Sequence, residues 1–160
     1  MTAEEKIDEI KNKNILVTGG CGFIGSEVVK QLSKLGANIT IIDNLSSGKE
    51  DYVKGLPNTE LIIAELSDLE QLKKSVKNKD YVIHLAALPF IPDSYYYPMK
   101  FFDVNVNATI GLVLETIKEK KIKRFVHISS SEVYGSAKVI PMDEEHQTMP
   151  QSTYAVSKLA

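Results

Sequence analysis

The sequence T-G-G-C-G-F-I-G-S, residues 18–26, decides the fold of this chain. The apolar run at residues 14–17 precedes it and predicts a strand, and apolar residues spaced for one helix face follow it as far as Leu35. Glycines between a strand and a helix allow a tight turn and leave the helix N-terminus open, where N–H groups and the helix dipole attract phosphate. In this setting the spacing G-x-x-G-x-x-G predicts a binding site for the pyrophosphate of a dinucleotide.

The composition of the chain limits the classes of protein to consider. Its 160 residues, 43% hydrophobic and 25% charged, predict one ordinary globular domain. A net charge of -2 gives no electrostatic footprint for nucleic acid, and no apolar run approaches the length of a membrane span. One cysteine cannot form an internal disulfide, so we expect a reducing, cytoplasmic setting. The three histidines lack the spacing of metal ligands, so no metal site is expected.

Strands and helices alternate along the rest of the chain. Further strands are predicted at residues 38–43, 60–64, 81–85 and 123–129. Gly36 is expected to end the first helix, and Ser67 to cap the second. A long helix ending near residue 120 carries an apolar stripe at Phe102, Val106, Ile110, Val113 and Ile117. This alternation predicts an α/β fold, a Rossmann-like, doubly wound parallel sheet with ligands at the carboxyl ends of its strands.

The two ends of the chain carry weaker signals. The sequence T-A-E-E at residues 2–5 has a capping pattern and predicts a leading helix or appendage over residues 1–12. Residues 13–160 would then form the Rossmann domain. The chain reaches residue 160 within another predicted helix, which Ser152 caps, so we expect the domain to be incomplete at its C-terminus.

An acid at the end of the second predicted strand indicates which dinucleotide binds. Asp43 follows Gly19 by 24 residues, close to the spacing at which a carboxylate accepts hydrogen bonds from the adenosine ribose. The same carboxylate would repel a 2′-phosphate, and no arginine follows to neutralise that phosphate. These residues predict NAD rather than NADP.

The pattern Tyr-x-x-x-Lys occurs three times, beginning at Tyr96, Tyr134 and Tyr154. A proline interrupts the first match and a glycine the second, whereas Tyr154 and Lys158 are four residues apart on a predicted helix and share one face. An ordinary tyrosine, with a pKa of about 10, is a poor base. A nearby ammonium and an oxidised nicotinamide would both favour the phenolate, which could take a proton from a substrate hydroxyl. A serine from the cluster at residues 129–131 could hold that oxygen in place.

Six motifs then identify a family that this chain resembles. T-G-G-C-G-F-I-G-S, D-N-L-S-S-G, H-L-A-A, N-V-N-A-T, S-S-S-E-V-Y-G and Y-A-V-S-K occur in the order typical of the extended short-chain dehydrogenase/reductase family. The chain resembles the N-terminal part of its nucleotide-sugar branch, which includes UDP-glucose 4-epimerases, 4,6-dehydratases and UDP-glucuronate decarboxylases. The resemblance runs from about residue 13 to residue 160. It implies tightly held NAD, a UDP-linked sugar as substrate, a C-terminal substrate domain beyond residue 160 and a homodimer of the complete protein.

The resemblance also assigns individual residues. It implies catalytic roles for Ser130, Glu132, Tyr154 and Lys158. It implies contact with the cofactor for Gly19, Gly22, Phe23, Ile24, Gly25, Asp43, Asn44, Ser47, Glu65, Leu66, Leu85, Ala86, Ala87 and Asn105, as well as for Tyr154 and Lys158. Three positions depart from the family pattern: Cys21 replaces an alanine, Glu65 an aspartate and Thr153 a proline. Cys21 lies near a helix N-terminus, where a thiolate is favoured, but a nucleophilic role is not expected.

Three hypotheses follow. The leading one is an NAD-dependent nucleotide-sugar 4-epimerase that oxidises the sugar 4-hydroxyl transiently, and serine at position 130 favours it. The runner-up is a 4,6-dehydratase or UDP-glucuronate decarboxylase acting through the same ketone, and Glu132 favours it. The third is a non-catalytic NAD-binding module, which would need the glycine loop and Asp43 but not Ser130, Tyr154 and Lys158 together.

Overall fold

The computed structural model of the chain describes residues 9–160. The predicted leading helix lies mostly outside the described residues, and its last part, residues 9–12, forms a turn in which Asn12 has a positive φ of 59°. The chain divides into two compact units. The first contains residues up to 86 together with 110–127, and the second contains residues 87–109 together with 128–160.

The first unit is built on a parallel sheet of five strands. They are β1 (Asn14–Thr18), β2 (Asn38–Asp43), β3 (Thr59–Ile63), β4 (Tyr81–His84) and β5 (Arg124–His127). Their order is β3-β2-β1-β4-β5, so the direction of winding reverses between β1 and β4. In the register, Thr18 lies level with Ile42 on one side and His84 on the other. The predicted Rossmann-like, doubly wound sheet is confirmed, and the switch point beside β1 is where such sheets bind their ligands.

Helices pack on this sheet because its strands alternate side chains between two apolar faces. Helix α1 (Phe23–Lys34) contributes Val29 and Leu32 to a cluster with Ile15, Val17 and other strand residues. Gly36, with a φ of 77°, follows the end of α1 as predicted. Helix α2 (Leu69–Val76) begins differently from the prediction. Asp68, not Ser67, caps it, because the Asp68 carboxylate accepts the N–H groups of Glu70 and Gln71.

The predicted long helix is divided into three parts. Helix α4 (Pro98–Phe102), a π-helical turn (Asp103–Asn107) and helix α5 (Ala108–Lys118) follow one another, after the short helix α3 (Ile91–Tyr96). The predicted apolar stripe was wrong by about one residue: the buried positions are Phe101, Asn105, Ala108, Leu112 and Thr116. Ile110 and Ile117, which the stripe placed inside, are 51% and 72% exposed. Apolar side chains occupy two adjacent faces here and two buried positions are polar, so periodicity alone cannot select the buried face.

The second unit contains α3, α4, a 3-10 turn (Ser131–Tyr134) and helix α6 (Thr153–Leu159). Ser152 caps α6 as predicted, because its hydroxyl oxygen accepts the N–H of Ala155 at 3.0 Å. The ring of Phe101, which is buried, meets the ring of Tyr154 edge-on at a centroid distance of 6.5 Å. Within residues 9–160, no helix combines the length and the apolar character needed to cross a membrane.

Asp80 joins the amino ends of three strands in the first unit. Its carboxylate accepts the N–H of Asn14 at 2.9 Å, and its carbonyl accepts the N–H of Lys123 at 2.8 Å. The ammonium of Lys121 lies 3.5 Å from the carboxylate. Burial by itself would raise the pKa of Asp80, but the Asn14 hydrogen bond and Lys121 together hold that pKa below its ordinary value. The ionised form therefore stabilises the fold above the unfolded-state pKa, about 3.9, and this stabilisation is lost as the pH falls through the lower folded-state value.

We predict that Asp80→Asn lowers the free energy of unfolding by about 1–2 kcal/mol at pH 7, because it removes a charge-assisted hydrogen bond. The difference from wild type should shrink as the pH is lowered from 5 towards 3. Urea unfolding at a series of pH values measures both effects. Asp51→Asn is the matched control, because Asp51 is exposed in a short 3-10 turn. A loss that stays constant over this pH range would contradict a role for the Asp80 charge.

Candidate active site

The glycine loop between β1 and α1 requires two of its glycines for close packing. Gly19 has a φ of 70°, and a Cβ added there would lie 2.7 Å from the backbone of Ala86. A Cβ added at Gly25 would overlap the carbonyl oxygen of Gly19 and lie 2.9 Å from the Cα of Gly20. The loop and the first turn of α1 therefore pack backbone against backbone, which side chains at these positions would prevent.

The start of α1 has the properties of an anion site. Gly22 occupies the N-cap position without a side-chain hydrogen bond, and the first turn contains no acidic residue. The first helical hydrogen bond runs from the N–H of Ser26 to the carbonyl of Gly22 at 2.9 Å. Phe23 is 93% exposed, and Ile24 is exposed as well. The backbone N–H groups of this first turn are thus left for a ligand, and they lie at the positive end of the helix dipole.

Asp43 makes structural contacts that sequence reasoning missed. Its side chain, 8% exposed, ends β2, and one carboxylate oxygen accepts the N–H of Cys21 at 2.9 Å while the other accepts the N–H of Leu45 at 2.8 Å. Asp43 therefore holds the glycine loop in place, and each oxygen retains a lone pair for a ligand hydroxyl. Burial, with the carboxylates of Asp43 and Glu50, raises the pKa of the Cys21 thiol to about 11. The thiol is protonated near neutral pH, so the helix terminus does not create a thiolate here.

The other residues assigned to the cofactor in the first unit lie near the same ends of the strands. Asn44 donates to both carboxylate oxygens of Glu65 at 3.0 Å, and Ser47 is exposed in the loop after β2. Leu66 is buried. Leu85 and Ala86, which follow β4, are half-buried. Ala87, the first residue of the second unit, is also half-buried.

In the second unit, α6 presents Tyr154 and Lys158 one turn apart. Lys158 is 8% exposed, and among residues 9–160 its ammonium has no hydrogen-bond or ion-pair partner. Burial lowers the pKa of Lys158, because a cation loses water there without gaining an anion. A negative charge beside this ammonium would therefore be strongly favoured. The Tyr154 side chain is half-buried on the same helix.

The serine cluster lies beside α6. The Ser130 hydroxyl oxygen accepts the N–H of Glu132 at 3.2 Å and opens the 3-10 turn, which leaves its own proton for another acceptor. The Ser129 hydroxyl donates to the carbonyl of Lys158 at 3.2 Å and joins the cluster to the helix. Glu132 is exposed. Sequence reasoning did not single out Ser129, and only its place in the serine run could have suggested it.

A buried polar network also holds α6 from inside the second unit. Asn105, in the π-helical turn, accepts the N–H of Leu88 at 2.8 Å and donates to the carbonyl of Leu88 at 3.2 Å. It also donates to the hydroxyl of Ser157 at 2.9 Å, and Ser157 donates to the carbonyl of Tyr154 at 2.7 Å. A π-helical turn often marks a functional site. The cofactor contact of Asn105 stays a prediction, and the role of Ser157 was missed.

The predicted site residues therefore fall into two sets. The first unit brings together the glycine loop, Asp43, and the pair of Asn44 and Glu65. The second unit places Ser130 and Glu132 on a turn that Ser129 joins to the helix of Tyr154 and Lys158. The roles assigned to these residues stay predictions. Within residues 9–160, no group of three or more His, Cys, Asp or Glu side chains is placed to hold a metal ion.

Comparison with known proteins agrees with this architecture. The protein family described as GDP-mannose 4,6 dehydratase matches residues 16–160. A UDP-glucose 4-epimerase from Lacticaseibacillus casei is 35% identical over 148 residues, which are 91% of this chain and 44% of that protein.

Solved structures give the same picture. UDP-N-acetylglucosamine 4-epimerase from Methanobrevibacter ruminantium M1, in complex with UDP-N-acetylmuramic acid, is 40% identical with a TM-score of 0.88, and the match covers 93% of this chain and 48% of that one. UDP-glucose 4-epimerase from Stenotrophomonas maltophila, with bound NAD and formylated UDP-arabinopyranose, is 28% identical with a TM-score of 0.85, covering 92% and 46%. The chain thus spans about half the length of these relatives. It belongs to the GDP-mannose 4,6 dehydratase family, and its resemblance to the nucleotide-sugar branch of the extended short-chain dehydrogenases is confirmed.

Proposed function

We propose that the whole protein is an NAD-dependent nucleotide-sugar 4-epimerase acting on a UDP-linked sugar. The observation that carries the proposal is the pair on α6: a tyrosine one turn from a buried ammonium that has no partner among residues 9–160. That pair suits a tyrosine that must ionise near neutral pH. The relatives support the reaction, because both the curated relative and the two solved structures are named as 4-epimerases of UDP-sugars.

The residues of the first unit fit NAD. Gly19 and Gly25 allow backbone contacts that leave no room for a side chain at either position. The first turn of α1 has no side-chain cap and no acidic residue that would repel a pyrophosphate. Asp43 keeps lone pairs for ribose hydroxyls while it holds the loop. When bound, NAD supplies the acceptor for the hydride that leaves carbon 4 of the sugar.

The groups of the second unit supply the proton chemistry. In the proposed reaction, the Tyr154 phenolate accepts the proton of the sugar 4-hydroxyl, and the ammonium of Lys158 stabilises that phenolate. An ammonium near a tyrosine favours the ionised form of the phenol, and it does so more strongly where it is shielded from water. Ser130 retains a hydroxyl proton with which it can hold the sugar 4-oxygen. After the keto sugar turns over, the hydride would return to the opposite face of carbon 4 while Tyr154 returns the proton to the 4-oxygen, and the opposite configuration results.

The runner-up function is 4,6-dehydration or decarboxylation through the same ketone. Two observations favour it: the family description names a dehydratase, and the exposed carboxylate of Glu132 follows Ser130 by two residues. A dehydratase must protonate the departing 6-hydroxyl and usually has an acid at the middle position of this segment, where Ser131 stands. Epimerisation therefore remains the better supported reaction. A non-catalytic NAD-binding module would not need the buried lysine beside Tyr154.

We also propose that the complete protein is a cytoplasmic homodimer. The exposed apolar side chains of Ile110, Leu114 and Ile117, at the spacing of one face of α5, support a protein partner there. The single, buried cysteine is compatible with a reducing compartment.

The choice of cofactor can be measured directly. We predict that the protein binds NADP at least ~10-fold more weakly than NAD, because the 2′-phosphate would meet the Asp43 carboxylate, and like charges near a protein surface repel by a few kcal/mol. Asp43→Asn should reduce the difference in affinity between NAD and NADP, mainly by weakening the binding of NAD. Asp51→Asn should leave this difference unchanged. Titration calorimetry with both nucleotides gives the affinities. Equal affinity of the wild-type protein for the two would refute the assignment of Asp43.

The general base is tested by removing one oxygen atom. Tyr154→Phe in the full-length protein should lower kcat by at least ~100-fold, the usual contribution of a general base, and leave NAD affinity nearly unchanged. Tyr96→Phe and Tyr134→Phe are matched controls from the other two Tyr-x-x-x-Lys patterns. Tyr96 is exposed, and the Tyr134 ring packs edge-on against His146. If all three substitutions lowered kcat equally, the position of Tyr154 on a regular helix would not distinguish it from the other two tyrosines.

The product distinguishes the enzymatic hypotheses. With the full-length protein and a UDP-hexose, NMR should show the 4-epimer with its 6-hydroxyl retained. A 4-keto-6-deoxy sugar would instead establish the dehydratase, and carbon dioxide released from UDP-glucuronate would establish the decarboxylase. Glu132→Gln should keep substantial activity in an epimerase, because only elimination requires its proton.

A further inference from the structure

His84 and Thr18 form a buried polar pair inside the first unit, at the carboxyl ends of β1 and β4. The Thr18 hydroxyl lies 2.6 Å from Nδ1 of His84, and the two residues are 0% and 1% exposed. They lie level with each other in the register of the sheet. The neighbouring strand positions Val17 and Val82 are apolar and equally buried. Since burying polar groups costs free energy unless they are paired, this pair needs a reason beyond filling space.

The Thr18 hydroxyl has a second partner, which is the backbone that follows β4. The N–H of Ala86 donates to Oγ1 of Thr18 at 3.3 Å, and the N–H of Leu85 donates to the Thr18 carbonyl at 3.1 Å. A hydroxyl that accepts from Ala86 has one proton to donate, and His84 Nδ1 is the acceptor within reach. This direction of the hydrogen bond satisfies the hydroxyl proton, and it requires Nδ1 of His84 to be the nitrogen without a proton. The His84 ring is held in turn by the rings of His127 and Phe125, at centroid distances of 5.3 and 6.1 Å.

The backbone of Ala86 is in contact with the glycine loop. A Cβ added at Gly19 would lie 2.7 Å from both the Cα and the N of Ala86, so the two backbones are in direct contact. Gly19 also contacts the start of α1, because a Cβ added at Gly25 would overlap the Gly19 carbonyl oxygen. Any change in the position of Ala86 is therefore passed to the loop, because packed backbone has no free space in which to absorb it.

We propose that His84 is a positioning residue for the cofactor, acting through the Thr18 hydroxyl. The imidazole fixes the rotation of that hydroxyl, the hydroxyl oxygen holds the N–H of Ala86, and Ala86 sets the position of Gly19. This inference rests on the proposed NAD site, because Gly19 and Ala86 are residues assigned to it.

Four variants of the full-length protein test the proposal in matched pairs. Thr18→Val keeps the shape of threonine and removes its hydroxyl, whereas Thr18→Ser keeps the hydroxyl. His84→Leu removes the acceptor, whereas the amide oxygen of His84→Asn can replace Nδ1. We expect Thr18→Val and His84→Leu to weaken NAD binding by ~10-fold, and the two conservative variants to stay within ~3-fold of wild type. Titration calorimetry measures these affinities at a temperature well below the lowest unfolding midpoint of the set without NAD.

Hydrogen exchange provides a readout that does not depend on activity. The amide of Ala86 should exchange faster in Thr18→Val and His84→Leu than in wild type, and at nearly the wild-type rate in Thr18→Ser. Lower unfolding midpoints with unchanged NAD affinity would overturn the inference and leave the pair a purely structural role. Equal losses of affinity in the conservative and disruptive variants would also overturn it. If the wild-type protein does not bind NAD, both the proposed function and this inference are wrong. If it binds NAD but the variants do not follow the expected pattern, only this inference is wrong.

Discussion

The structure of the first unit depends on direct contact between segments of backbone. Gly19 touches the backbone of Ala86, and Gly25 touches the carbonyl of Gly19, so the end of β1, the end of β4 and the first turn of α1 meet without side chains between them. This closeness leaves the first N–H groups of α1 open at the carboxyl edge of the sheet, where the winding direction reverses. Asp43 contributes from the neighbouring strand by accepting the N–H of Cys21, so the residue expected to recognise ribose also holds the glycine loop in place.

In the second unit, buried polar side chains link the elements to one another. Asn105 and Ser157 link the π-helical turn, the backbone of Leu88 and the carbonyl of Tyr154, and every polar atom of the Asn105 side chain has a partner. Lys158 differs, because its ammonium is buried and, among residues 9–160, unpartnered. A network in which every polar group is paired fixes the position of the helix. Burial lowers the pKa of Lys158, so an anion beside its ammonium would be favoured. A fixed helix that carries an uncompensated charge supports the role proposed for Tyr154 as a general base.

Family membership and reaction are separate conclusions for this protein. The family description names a dehydratase, whereas the relatives reported above are named as epimerases. Both reactions begin with oxidation at carbon 4, so the roles proposed for the glycine loop and the tyrosine–lysine pair would be the same in either one. The two reactions need different acids at the sugar. This chain offers Glu132 beside Ser131 as a proposed acid, and it does not span about half of the relatives' length. A fold alone does not select between them.

The sequence by itself determined the five strands and the helices that follow β1 and β3, in their order along the chain. Strand-like runs and a glycine turn predicted the parallel sheet and the carboxyl ends of its strands as the place for ligands, since these signals depend on neighbours in the chain and on the period of two or 3.6 residues. Tertiary structure decided what such signals cannot encode. The buried face of the helix through Leu112 was misplaced because two of its faces are apolar, and the cap of α2 proved to be Asp68 rather than Ser67. The contacts of Asp43 with Cys21, of Asn105 with Ser157 and of His84 with Thr18 join residues 22, 52 and 66 positions apart, a distance over which no periodicity extends. The burial of Lys158, and with it the lowered pKa, likewise exists only once the chain has folded around that helix.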